Sequence, residues 1–172
     1  MTRRKNPDDV IASASRAFKR FLNTPEMLEM ARDFSASTSW VQGLCAPLAF
    51  GVRKWLGGSA RVVGLSTPDG RVQHAAVERD GLLIDGDGIS TRDAFLRRWE
   101  KRLVAWPGGN HPLRLEPILA YRRRFGPDFG ISRRSGRGSD FDTRAFADAI
   151  TFALVMYFPA GKGRKWLAPK DD

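Results

Sequence analysis

The 172-residue chain contains one cysteine and two histidines, so any thiol chemistry has few ways to be assembled. Cys45 stands in "WVQGLCAPLAFGVRKWLGG" (40–58), just ahead of an apolar run closed by a double glycine. Proline is tolerated only in the first turn of a helix, so Pro47 puts the start of that helix near residues 44–46. A thiol at that end meets the positive end of the helix dipole, and nearby backbone N–H groups can hold a developing oxyanion. A nucleophilic thiol also needs a base. His74 lies inside the apolar strand-like "VQHAAV", whereas His111 lies in the loop "PGGNHP". Asp80-Gly81 reads as a two-residue hairpin turn, which places His74 opposite Asp87 and Ala76 opposite Asp85. Side chains alternate along strands, so His74, Asp85 and Asp87 share one face, and either acid could orient the imidazole.

Taken singly, each residue has a plainer reading. A lone cysteine is ordinarily an inert buried hydrophobe, a strand histidine a bonded core residue, and Asp-Gly-Asp-Gly a turn before a helix. The last makes a poor calcium loop, because no further acids follow at the needed spacing and no glutamate closes it. Only the joint order of thiol, imidazole and carboxylate points to nucleophilic catalysis.

That order, a helix opening on Cys45, a strand with His74 and a strand ending in Asp85, resembles the papain-like cysteine hydrolases. The phrases "GSARVVGL", "HAAVE" and "IDGDG" look most like the transglutaminase-like branch, over about residues 40–92. The resemblance implies a papain-like α+β core with Cys45 as nucleophile, His74 as base and Asp85 as orienting acid. Asp87 is the second choice of acid, and Gln42 would be a donor to the oxyanion. Ala46 departs from the pattern, since many relatives carry Trp, Gly or Tyr there. The implied activity is cleavage or transfer at an amide bond (peptidase, deamidase or transferase) with no cofactor and no metal.

The elements that must position these residues follow from local signals. "NPDDVIASASRAFKRFLN" predicts a helix capped by Asn6, with Pro7 first and acids in the first turn. Val10, Ala14, Ala17, Phe18, Phe21 and Leu22 form its apolar stripe. Thr24 and Pro25 open a second, shorter helix. The third helix, after Cys45, buries Leu48, Val52, Trp55 and Leu56 and ends at Gly57. "ARVVGLS", "RVQHAAVER" and "LLIDGDG" predict a small antiparallel meander. "STRDAFLRRWEKRLVAW" predicts a helix capped by Ser90 or Thr91, with Asp93 in its first turn. Residues 113–125 fit neither pattern, and "SGRGSD" reads as a flexible basic loop. A last helix, capped by Asp142 and reaching about Phe158, is apolar nearly all round, which predicts a central place in the core. The expected whole is a single α+β domain: a helical arm (6–35), a core (40–104) and a basic helical extension (105–172).

With 42% apolar residues, eleven Phe and five Trp, the chain can bury a real core. One cysteine excludes an internal disulfide framework, which together with the absence of a signal-peptide pattern predicts a cytoplasmic protein. The run "AFADAITFALVMYF" is too short to span a bilayer and carries Asp148, so no membrane partner is expected. Residues 1–91 hold 12 Lys/Arg and 10 Asp/Glu, but residues 92–172 hold 17 and 9, so the net charge of +10 belongs mainly to the second half. Such a surface favours an acidic partner. Arg97, Arg98, Lys101 and Arg102 fall on the predicted 90–106 helix, while Arg122, Arg123, Arg124, Arg133, Arg134 and Arg137 follow near aromatic residues. This supplies an alternative to catalysis: a binding protein using an arginine-rich surface for nucleic acid or an acidic protein. No helix-turn-helix, zinc or RNA-recognition signature accompanies it.

Overall fold

A computed structural model describes residues 6–34, 39–41, 43–66, 72–104, 113–117 and 140–158. Helix α1 (Pro7–Leu22) begins as its sequence dictates: the Asn6 side chain accepts from Asp8 N at 3.2 Å, and acids occupy the first turn. Ala14, Phe18, Phe21 and Leu22 are its buried stripe. Helix α2 (Pro25–Phe34) follows at once, with the Thr24 hydroxyl accepting from Met27 N. Helix α3 (Cys45–Leu56) starts on the cysteine itself and stops at Gly57, whose φ of 62° lies in the left-handed region open to glycine.

The strands are β1 (Arg61–Ser66), β2 (Val72–Arg79), β3 (Leu82–Asp85), β4 (Gly88–Thr91) and β5 (Arg114–Pro117). They form one antiparallel sheet in the order β4-β3-β2-β1-β5. Asp80 and Gly81 both take positive φ, 51° and 75°, the twist that a two-residue hairpin turn needs. The β2–β3 register pairs Val77 with Ile84 and Glu78 with Leu83. Helix α4 (Arg92–Val104) grows directly out of β4, with the Thr91 hydroxyl accepting from Ala94 N. Thr91 is thus the cap, while Ser90 is a strand residue. Helix α5 (Asp140–Tyr157) begins two residues before the expected Asp142 cap.

Two strands were not expected. Strand β4 consists of four residues, "GIST", too few to register against the helix signal that follows. Strand β5 occupies the start of the unassigned 113–125 stretch and pairs along β1.

Helices cover both faces of the sheet. On one face α1, α2, α3 and α5 enclose the larger core, which takes in Val62, Ala75, Val77 and Ile84 from the strands. On the other, Phe95 and Trp99 of α4 close over Val63, Leu65, Ala76 and Leu83. Alternation along β1 and β2 produces this division. Helices α3 and α5 approach closely at Gly51, where an added Cβ would lie 2.8 Å from the Ala147 carbonyl oxygen. The Thr151 hydroxyl lies 2.8 Å from that oxygen and 3.1 Å from the Gly51 carbonyl, tying the crossing together.

Helix α5 corrects one expectation. It buries Phe146, Ala147, Ile150, Leu154 and Phe158, a stripe at helical spacing. Phe152 and Met156, each 67% exposed, lie off that stripe with Val155 and Tyr157. Among the described residues the helix is therefore one-sided rather than central, with the buried stripe turned to α3 and its neighbours.

Candidate active site

Cys45 heads α3, the helix that packs against the strand carrying His74. Its N-cap residue, Leu44, has no polar side chain to accept from the first-turn N–H groups. The lead-in to α3 is fixed by Trp40, whose indole N–H donates to the Leu22 carbonyl at 2.9 Å. The same residue packs on the acid turn: a Cβ at Gly86 would lie 2.6 Å from the Trp40 backbone. Gly88 has a φ of 109°, and a side chain there would run into the Ser15 hydroxyl, which accepts from Ile89 N at 2.9 Å. Close packing against α1 and Trp40 therefore accounts for both glycines of Asp-Gly-Asp-Gly.

His74 lies near the start of β2, facing α4. Its ring stacks on Trp99 at 4.2 Å between centroids, with Phe95 at 6.1 Å. Its Nε2 lies 3.0 Å from Asp85 Oδ2, and both side chains are fully buried. Nδ1 is buried too and lacks a well-formed hydrogen bond. Burial pulls the imidazole down, but the hydrogen bond and charge of Asp85, together with the neighbouring Cys45, raise its pKa from 6.5 to about 9. With Nε2 occupied by Asp85, Nδ1 is the ring nitrogen left without a hydrogen-bond partner.

Asp85 is saturated with donors. Oδ1 accepts from the Asp87 backbone N–H at 3.0 Å, and Arg98 Nη2 lies 3.0 Å from each oxygen. The Trp99 indole N–H makes a longer contact of 3.5 Å with Oδ2. Burial pushes the carboxyl up, yet the His74 hydrogen bond and charge, the Arg98 charge and the Asp87 N–H together hold it below the usual range.

Asp87 does not face His74. Strand β3 ends at Asp85 and the chain reverses through Gly86 and Asp87 into β4, so the cross-strand position expected for Asp87 does not exist. Its carboxylate pairs instead with Arg102 and lies 3.2 Å from Arg98 Nε. These two arginines were expected on an open basic face. Arg98 is instead bound to Asp85 and Asp87, with its guanidinium over Phe95. Arg102 is bound to Asp87 and lies over Trp99. Arg97 and Lys101 are exposed. Gln42, His111, Arg122, Arg123, Arg124, Arg133, Arg134 and Arg137 lie outside the described residues.

Sequence reasoning overlooked Arg98 and Trp99 as partners of the acid and the imidazole. A signal existed: consecutive Arg-Trp on a helix springing from the acid turn puts one cation and one ring at the strand ends. Nothing in sequence separates that Arg from its neighbours facing water.

Among the described residues, no group of three His, Cys, Asp or Glu side chains is arranged to hold a metal ion, and no helix is long and apolar enough to cross a membrane. No family model, curated protein or solved structure matches the chain. What the fold defines is an α+β domain in which a cysteine-headed helix packs on a five-stranded antiparallel sheet that carries a buried imidazole–carboxylate pair.

Proposed function

We propose that the protein is a thiol hydrolase or acyltransferase acting on an amide bond, with Cys45 as nucleophile, His74 as base and Asp85 as orienting acid. The observation that carries this reading is the fully buried imidazole held at Nε2 by Asp85, its Nδ1 buried and without another partner, on a sheet against which the Cys45-headed helix packs. A papain-like relationship would account for the order of the three groups.

With Nε2–H donating to Asp85, Nδ1 is the nitrogen that takes the thiol proton, giving a thiolate–imidazolium pair in keeping with the raised imidazole. The sulfur then attacks the carbonyl carbon, and the resulting oxyanion is held by N–H groups at the start of α3. As the C–N bond breaks, the imidazolium returns the proton to the leaving amine and an acyl-enzyme forms. Water, deprotonated by His74, releases the acid; an amine in its place gives transfer. The excess of basic residues after residue 92 would draw in an acidic protein substrate.

A single cysteine makes the test specific. Iodoacetamide should alkylate native protein at Cys45, and His74→Gln, which keeps a donor for Asp85, should slow that reaction by about tenfold or more. Cys45→Ala should fold normally and lower the His74 titration from about 9. Cys45 is only 2% exposed, so accessibility is the sharpest point of failure. Reaction only after unfolding, or equal rates with His74→Gln, would overturn the reading.

A further inference from the structure

Among the described residues, Arg98 is the one charged group that touches both acids of the turn. Its Nη2 lies 3.0 Å from each Asp85 oxygen, and its Nε lies 3.2 Å from Asp87 Oδ2. Asp87 Oδ2 is also held by Arg102, which sits over the Trp99 ring, and Trp99 in turn stacks on His74. A carboxylate on a short turn can rotate about its terminal bond, and only one setting presents Oδ2 to His74 Nε2. The Asp87 N–H and Arg98 together grip Oδ1 in that setting.

Stability alone explains this arrangement poorly. Burying a carboxylate costs several kcal/mol, roughly the size of what its partners return. An arginine serving only solubility would project into water like Arg97 one position earlier.

We propose that Arg98 is a positioning residue for the thiol site, locking the Asp85 carboxylate in the rotamer that orients His74, with Asp87 and Arg102 as its outer anchor. This rests on reading Cys45, His74 and Asp85 as the reactive centre. The positioning acts through the imidazole: a fixed Oδ2 fixes the Nε2–H hydrogen bond and so the ring's orientation, which leaves Nδ1 as the nitrogen that exchanges its proton with the thiol.

The test compares Arg98→Met, Arg98→Lys and Asp87→Asn in the full chain by two readouts. The first is the rate of Cys45 alkylation by iodoacetamide. The second is the His74 Nε2–H proton resonance, followed for its exchange with water and for the low pH at which it disappears. Arg98→Met should cut alkylation about tenfold, consistent with a misplaced catalytic group, speed Nε2–H exchange, and move the low-pH loss upward because Asp85 has lost a neighbouring cation. Arg98→Lys should restore the low-pH limit but not the slow exchange, since an ammonium keeps the charge without reaching Asp87 at the same time. Asp87→Asn should change exchange and alkylation in the same direction by less, and it keeps the proposal testable if Arg98→Met does not fold.

Wild-type exchange and an unmoved low-pH limit in Arg98→Met would overturn the positioning role. So would full rescue of all readouts by Lys, which would reduce Arg98 to a bare charge. If wild-type Cys45 resists alkylation, the thiol reading fails, while the Nε2–H resonance still reports separately whether Arg98 holds the pair.

Discussion

The two faces of the sheet are built on opposite principles. Beneath α3 and α5 the core is apolar, with Leu154, Ile150, Val77 and Ile84 almost wholly excluded from water and a close helix crossing at Gly51. Beneath α4 a smaller apolar cluster surrounds a carboxylate that accepts from an imidazole, a guanidinium, an indole and a backbone amide. The first face gains from every methylene removed from water, roughly 0.8 kcal/mol each. The second pays a desolvation cost that its ion pairs merely offset. The α4 face therefore earns its place through chemistry or specificity rather than through stability.

The largest test of that contrast sets Asp85→Ala against Leu154→Ala. Loss of Asp85 strands Arg98 and His74, and should destabilise by about 3 kcal/mol at neutral pH, the low end for a broken buried pair, because His74 can release its proton and Arg98 can turn toward water. Leu154→Ala should cost a similar amount, about 3 kcal/mol, from lost transfer energy and a cavity. Urea unfolding at several pH values separates the two: the cost of Leu154→Ala should be flat with pH. The cost of Asp85→Ala should shrink toward both extremes. Parallel pH profiles for the two variants would erase the distinction between the faces.

A smaller effect is the pH dependence of the wild type. His74 titrates at about 9 in the fold against 6.5 unfolded, so its contribution is complete below about 6.5 and is lost as pH rises through 9. Asp85 is lowered, so its contribution is present above the ordinary carboxylate range and lost as pH falls below it. Stability should therefore peak between these limits, and the alkaline decline should be much weaker in Asp85→Ala. A wild-type melting temperature that does not fall between pH 6.5 and 9 would contradict the pairing.

The smallest effect belongs to the exposed side of α5. Phe152 is largely exposed, so Phe152→Ser should change stability by about 0.5 kcal/mol or less, measured by thermal melting, whereas the same helix at Leu154 responds strongly. A large loss at Phe152 would mean that its face is covered in solution.

Legibility tracked the range of the interaction that decides each feature. Asn6-Pro7 and Pro47 fix helix starts through backbone sterics and first-turn donors, so α1 and the Cys45 end of α3 could be read locally. Asp80-Gly81 fixed the hairpin, and with it the alternation that puts His74 and Asp85 within reach. The length of β3 could not be read. That strand ends at Asp85 because Trp40 lies against Gly86 and Ser15 against Gly88, contacts made by residues far away in the chain. The same limit hid the one-sidedness of α5, since its composition is apolar all round and only its neighbours select a face.

By itself the sequence determined the supply of chemistry: one thiol, a strand histidine and two acids in order, each attached to a start or turn signal that acts over a few residues. Only the tertiary structure decided which acid meets the imidazole and which arginine leaves the solvent to hold that acid. Those choices belong to packing between distant segments, where one residue of strand length or a few ångströms of helix placement separates Asp85 from Asp87 and Arg98 from Arg97.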